Sequence, residues 1–286
     1  MKNLVLMTFI VAPLAMADPF QPKNIPAESQ WYLHGDLTGL RKTNTGGFLL
    51  DQIRKGEADT IIDIETLFGF DLLEDLTDSA LFRTGTADEI AITLSGEFAR
   101  AQLEEVIVQA EGYNSTTYGT TKIHSWKDND RTQHAGFHDN NTVIISQKKG
   151  LLKLALDVLA GKTPGLKADL TPPSEEPVVV AYANIQKIKI PLDEGSHIIR
   201  KADSILITLA EKQNRLVANM VIKTGSEKMA KRMMHALAGL VSLSELADKN
   251  IEGLDILHNG QTSGKIMTMT MSLPAANAFA LISKLK

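Results

Sequence analysis

The 286-residue chain has no cysteine. Thiol nucleophiles, thiolate zinc sites, iron–sulfur clusters and disulfides are excluded together. The fold must therefore hold by burial alone, which a chain of this length can supply. Aromatics make up only 5% of residues, with two tryptophans, a thin supply for the aromatic platforms that sugars stack on. Basic excess is also missing: the net charge is −4, which offers no attractive field to nucleic acid. No cationic run exceeds two residues, as at Lys148-Lys149, too short for a lipid-docking cluster. No Gly-x-Ser-x-Gly elbow and no Gly-x-x-x-x-Gly-Lys-Ser/Thr loop occurs, so the usual serine-nucleophile and phosphate-cradling signatures are absent.

Long hydrophobic runs are lacking as well. The apolar stretch 4–14 is far below the ~20 residues needed to span a bilayer, and Pro13 sits near its end. With Lys2 before it and Ala15-Met16-Ala17 after it, residues 1–17 have the form of a secretory signal peptide. The expectation is cleavage between Ala17 and Asp18, with the mature chain in the periplasm or secreted and carrying no transmembrane segment. No cysteine follows the cleavage site to take a lipid.

Prolines punctuate the rest. Residues 18–30 (DPFQPKNIPAESQ) read as an extended leader, and 161–177 (GKTPGLKADLTPPSEEP) holds four prolines and two glycines, a poor substrate for helix or sheet. We take 163–177 as a linker between a first unit, 31–162, and a second, 178–286. Both open with strand-like runs, 31–40 (WYLHGDLTGL) and 178–188 (VVVAYANIQKI), each followed by a less regular region. Each then has a strand leading into an amphipathic helix: 89–98 into 99–110, and 215–224 into 226–246. In the first helix Leu103, Val106, Ile107 and Ala110 recur at helical spacing; in the second Met229, Met233, Leu237 and Leu240 do, with Ser226 as its cap. Hairpin material and a closing helix end each unit: 131–138 and 142–147 before 151–160, then 254–258 and 265–272, around NGQTSG, before a helix starting at Pro274. A short helix is expected at 48–54. The predicted class is α+β: two related units, each a mostly antiparallel sheet with helices packed on one face.

The segments LHGDLTGLRKTNTGGFLLDQI, LFGFDLLEDLTDSALF, EIAITLSGEFARAQLEEVI and HDNNTVIISQKKGLLKLALDVLAGK resemble a pattern in uncharacterised exported bacterial proteins. Its marks are a His-x-Asp strand, a Gly-x-Asp-x-x-x-Asp segment (Gly69, Asp71, Asp75), a Gly-x-Phe strand end (Gly96, Phe98) and a leucine-rich helix closing on Gly-Lys. The resemblance covers roughly 31–162, with an echo in 178–286. It implies the fold and the exported address, and no activity.

Four groups of residues could carry chemistry. His124, His134 and His138 lie near Asp128, Asp130 and Asp139, but on a strand His134 and His138 stand ~13 Å apart, too far to share an ion. His34 and Asp36 share a strand face and could form a catalytic pair. Asp71, Glu74, Asp75 and Asp78 could hold calcium, yet leucines interrupt the oxygen-ligand spacing, so a helical turn with one wet face is the plainer reading. Met229, Met233 and Met234 with Met267, Met269 and Met271 are ordinary core positions, or else line a soft apolar groove. No metal and no cofactor is expected. The reading is a non-enzymatic binding or scaffold protein whose partner is an envelope protein or an apolar small molecule. The alternatives are a periplasmic hydrolase using His34 and Asp36, and an apolar-ligand carrier.

Overall fold

The computed structural model describes residues 21–85, 89–167, 170, 176–188, 199–247 and 256–284. The expected signal segment, the first residues of the expected leader and much of the expected linker lie outside them. The first half runs β1 (Trp31–Asp36), α1 (Leu37–Arg41), α2 (Asn44–Gly56), α3 (Ala58–Phe68), β2 (Leu76–Arg83), β3 (Ile90–Gly96), α4 (Arg100–Val108), β4 (Asn114–Tyr118), β5 (Thr121–Asp128), β6 (Arg131–Phe137), β7 (Thr142–Ser146) and α5 (Lys149–Leu159). The second half has β8 (Val179–Asn184), β9 (Ala202–Lys212), β10 (Arg215–Thr224), α6 (Glu227–Ala247), β11 (Leu257–Ser263), β12 (Ile266–Pro274) and α7 (Ala275–Lys284).

The class is α+β, and among the described residues twelve strands join one antiparallel sheet in the order β11-β12-β10-β9-β8-β1-β2-β3-β7-β6-β5-β4. The halves meet where β1 pairs with β8, Tyr32 opposite Tyr182, and the two rings stack at 5.4 Å. Outward from that seam the order β1-β2-β3-β7-β6 on one side answers β8-β9-β10-β12-β11 on the other. Hairpin geometry follows from the turn residues: Gln213 and Asn214, at φ 51° and 60°, supply the two left-handed positions between β9 and β10.

Helices occupy both faces of the sheet. On one, α5 buries Leu151, Leu152, Ala155 and Leu156 against Tyr32, Phe82, Ile123, Ile144, Val180 and Leu206. The leader joins this layer through Ile25, whose carbonyl accepts from Leu166 N–H at 2.7 Å. Pro26 also bridges to Gly165, where a Cβ would run into the Lys23 carbonyl. On the opposite face α4 packs at one end, with Leu103 against Phe98, Ala135, Phe137 and Val143. Helix α6 packs at the other end, with Ala230 and Met233 against Ile222, Met267 and Met269. Adjacent residues such as Val143 and Ile144 serve opposite cores, as the pleat requires.

Several elements depart from the sequence reading. The first strand stops at Asp36, whose carboxylate accepts from Gly39 N–H at 2.7 Å and caps α1. Residues 71–75 form turns rather than helix, and Asp78 sits on β2. Of the expected NGQTSG turn, residues 259–263 belong to β11, and the turn falls at its last residue, Gly264. Strands β2, β4, β5 and β9 and helix α3 were not anticipated: β2 falls in the stretch expected to be less regular, β4 (NSTTY) is a polar sheet edge, and β9 has apolar residues on both faces, which hides its alternation. By contrast β10 spans the expected residues, and Ser226 Oγ does accept from Met229 N–H at 3.2 Å.

Phe82 is 0% exposed at the centre of the larger core. Phe82→Ala should cost about 3–5 kcal/mol in urea unfolding, with the midpoint lowered and the slope unchanged.

Candidate functional site

The face carrying α4 and α6 has an uncovered middle. Strand register aligns one residue from each of nine strands in a single row: Ala135, Ile145, Ile92, Leu81, Leu33, Ala181, Ile207, Met220 and Met269. Every member is apolar. Its ends are roofed: Ala135 belongs to the α4 core and Met269 to the α6 core. Between them Leu33 is 44% exposed and Ile92 is 38% exposed, although both lie on interior strands of the sheet. Leaving leucine and isoleucine side chains in water on interior strands forgoes the free energy of their burial. Both tryptophans of the chain lie on this face. Trp31 is two residues before Leu33, and Trp126 pairs with Gln133, two residues before Ala135.

A recess of about 1020 Å³ opens on the β3–β5 side of the row, with Ile90, Ile92, Trp126 and Ile145 as its apolar walls. Its polar end is the β5–β6 turn. There Asp128 and Arg131 face each other in register. The Asp128 oxygens accept from Asn129 Nδ2 at 3.2 Å and Gln133 Nε2 at 3.3 Å. Arg131 is exposed, and its guanidinium has no hydrogen bond or ion pair among the described residues. Arg83, two residues beyond Leu81 on the same face, donates Nη2–H to Gln30 Oε1 at 3.1 Å, while its buried Nε has no hydrogen-bond partner.

The residues singled out from sequence lie elsewhere or are closed off. His34 is on the α5 face and 3% exposed. Its Nε2 stands 3.9 Å from Asp78 Oδ1, whereas the Asp36 carboxylate accepts the Gly39 N–H that caps α1. The expected His34–Asp36 pair is therefore not assembled, and no substrate can reach the imidazole as it stands. Burial pushes His34 down to about 4, against the opposing charge of Asp36. Burial pushes Asp78 up to about 6, and the Asp36 charge adds to it.

The methionines are also largely enclosed. Met233, Met267 and Met269 are at most 1% exposed, and Met229 and Met271 are half-buried against them. They pack α6 onto β10 and β12 and do not line a groove. The acidic run builds turns: Asp71 accepts from Leu73 N–H at 2.7 Å and from Arg54 Nη1 at 2.9 Å, and Asp75 accepts from Asp71 N–H at 2.8 Å. The Arg54 hydrogen bond and charge hold Asp71 below the usual carboxylate range, against the cost of its burial. The histidines do not converge. His124 is buried, with Nδ1 3.2 Å from the Tyr113 hydroxyl, and burial pushes its pKa down. His134 Nδ1 is 2.8 Å from Ser125 Oγ, a hydroxyl–imidazole pair closed off because Ser125 is 2% exposed. His138 is exposed beyond β6. Among the described residues no three His, Asp or Glu side chains gather closely enough to hold a metal ion.

The open row escaped the sequence reading because it is a property of register. Its only local trace is that β1, β2 and β3 carry apolar residues on both faces, as interior strands do.

The buried pair has a measurable consequence. Unfolded His34 takes up a proton near 6.5 while the folded residue resists until about 4, so its share of stability is lost as pH falls through that window. Asp78 runs the other way: folded, it keeps its proton up to about 6 and unfolded it loses it near 3.8, so its share is lost as pH rises. Each slope approaches 1.4 kcal/mol per pH unit, about one proton, and the two oppose. Relative to wild type, Asp78→Asn should lose stability as pH falls from 6.5 to 4 and His34→Gln as pH rises from 3.8 to 6. Parallel stability curves for all three proteins would contradict this.

No family model matches the chain, and no curated protein matches it. Solved structures of TP0453 share its fold. One crystal form superposes with a TM-score of 0.52 at 12% identity, covering 94% of this chain and 99% of that one. Another gives 0.51 at 11% identity, over 93% and 98%. At that identity the likeness extends to architecture: this chain is similar to TP0453 in fold along nearly its whole length.

Proposed function

We propose that the mature chain, from Asp18 onward, is an exported, non-enzymatic binding protein of the bacterial envelope that receives an apolar molecule on its open sheet face. One observation carries the reading: a register-aligned apolar row is roofed at both ends by α4 and α6 and left uncovered on β3, β2 and β1. The exported address draws on the signal-like residues 1–17 and on a cysteine-free chain that needs no cross-links. The matching strand order on the two sides of the seam supports reading the halves as related units that together frame the face. A catalytic reading through His34 has no such support, since that imidazole is buried on the other side.

The two tryptophans supply a built-in reporter. The neutral fluorophore N-phenylnaphthylamine should quench them and brighten on binding to the mature chain. The double variant Leu33→Thr/Ile92→Thr keeps strand-compatible side chains at exposed positions. It should unfold within about 0.5 kcal/mol of wild type yet bind the probe at least tenfold more weakly. Undiminished binding by a folded double variant would refute the site.

A further inference from the structure

The recess is not uniformly apolar, and its asymmetry specifies a ligand class. The row from Ile145 to Ile207 crosses six strands. Its five gaps of about 4.8 Å give roughly 24 Å of apolar floor. One extended acyl chain fits that length, since a bilayer leaflet of such chains is about 15 Å thick. At the β5–β6 end the floor gives way to the polar turn, where Asp128 is engaged by Asn129 and Gln133 and Arg131 is left without a partner among the described residues. A further cation, Lys148, lines the same recess, and Arg83 borders the row from the same strand ends. Arg131 thus stands in the recess without an ion-pair partner among the described residues, which favours an anion there, and its planar fork can grip a carboxylate through two parallel N–H···O bonds.

Resting on the binding reading above, we propose that the ligand is a single-chain anionic amphiphile, a long-chain carboxylate taken up as a monomer. Its tail lies along Ile145, Ile92, Leu81 and Leu33, and its head pairs with Arg131.

The test follows tryptophan fluorescence of the mature chain against three probes: monomeric hexadecanoate, neutral hexadecanol and vesicles of anionic phospholipid. The proteins are wild type, Arg131→Gln and the Leu33→Thr/Ile92→Thr double variant. Arg131 is exposed, so its replacement leaves the fold intact. The proposal expects wild type to bind hexadecanoate more tightly than hexadecanol. Arg131→Gln should weaken hexadecanoate about tenfold and leave hexadecanol unchanged, and the double variant should lose both. Equal hexadecanoate binding by wild type and Arg131→Gln, with loss in the double variant, would overturn the head-group assignment and keep the apolar site. A response to vesicles without response to either monomer would overturn the proposal in favour of a membrane-facing surface. Silence toward all three probes in wild type would overturn the binding reading itself.

Discussion

The pairing of β1 with β8 is the constraint on which the rest of the molecule depends. Without it there would be two small sheets, each with raw edges to hide. With it there is one sheet whose outer edges are the mostly exposed strands β4 and β11. The pairing is doubly secured. Backbone bonds run past its ends, from Asp36 N–H to the Val178 carbonyl at 2.8 Å and from Asn184 N–H to the Gln30 carbonyl at 2.7 Å. The Tyr32–Tyr182 stack lies on the α5 face, where Val180 and Phe82 continue the same core.

The seam also decides how the two faces differ. On the far face α4 lies over first-half strands, with Leu37 of α1 and Phe68 of α3 packed beside it, and α6 lies over second-half strands. Joining the halves edge to edge places those helices at opposite ends and leaves the seam strands between them bare. The near face has no such gap at the seam, because Tyr32, Phe82, Val180 and Leu206 are buried there together with the residues of α5. The open apolar row is thus a product of the join: neither half contains it alone. Burial of His34 and Asp78 belongs to the same asymmetry, since both sit at strand positions on the covered side, where ionisation of either is opposed by loss of hydration.

Much of the architecture was readable from local pattern. The α+β class, strand β10, the alternation of Met267, Met269 and Met271, the Ser226 cap and helix α5 follow from side-chain spacing that a single element dictates. Candidate site residues fared differently. His34 and Asp36 stand two apart on one strand, and sequence presents them as a pair. In the fold Asp36 is drawn to an α1 backbone N–H and His34 faces Asp78, which is 44 positions away along the chain. The methionine stripe was correctly placed on helix and strand, but only packing shows that each half of the stripe is the other's partner.

By itself the sequence determined the cysteine-free core, the signal-like start, the periodic helices and strands, and the absence of standard catalytic signatures. Those are consequences of composition and of spacings within about twenty residues. Tertiary structure alone decided that Ile145, Ile92, Leu81, Leu33 and Ala181 stand side by side, and that Arg131, without a partner among the described residues, borders the recess beside them. The reason is physical: cross-strand register is set by pairings between distant segments, and one residue of slip would turn every one of those side chains to the other face.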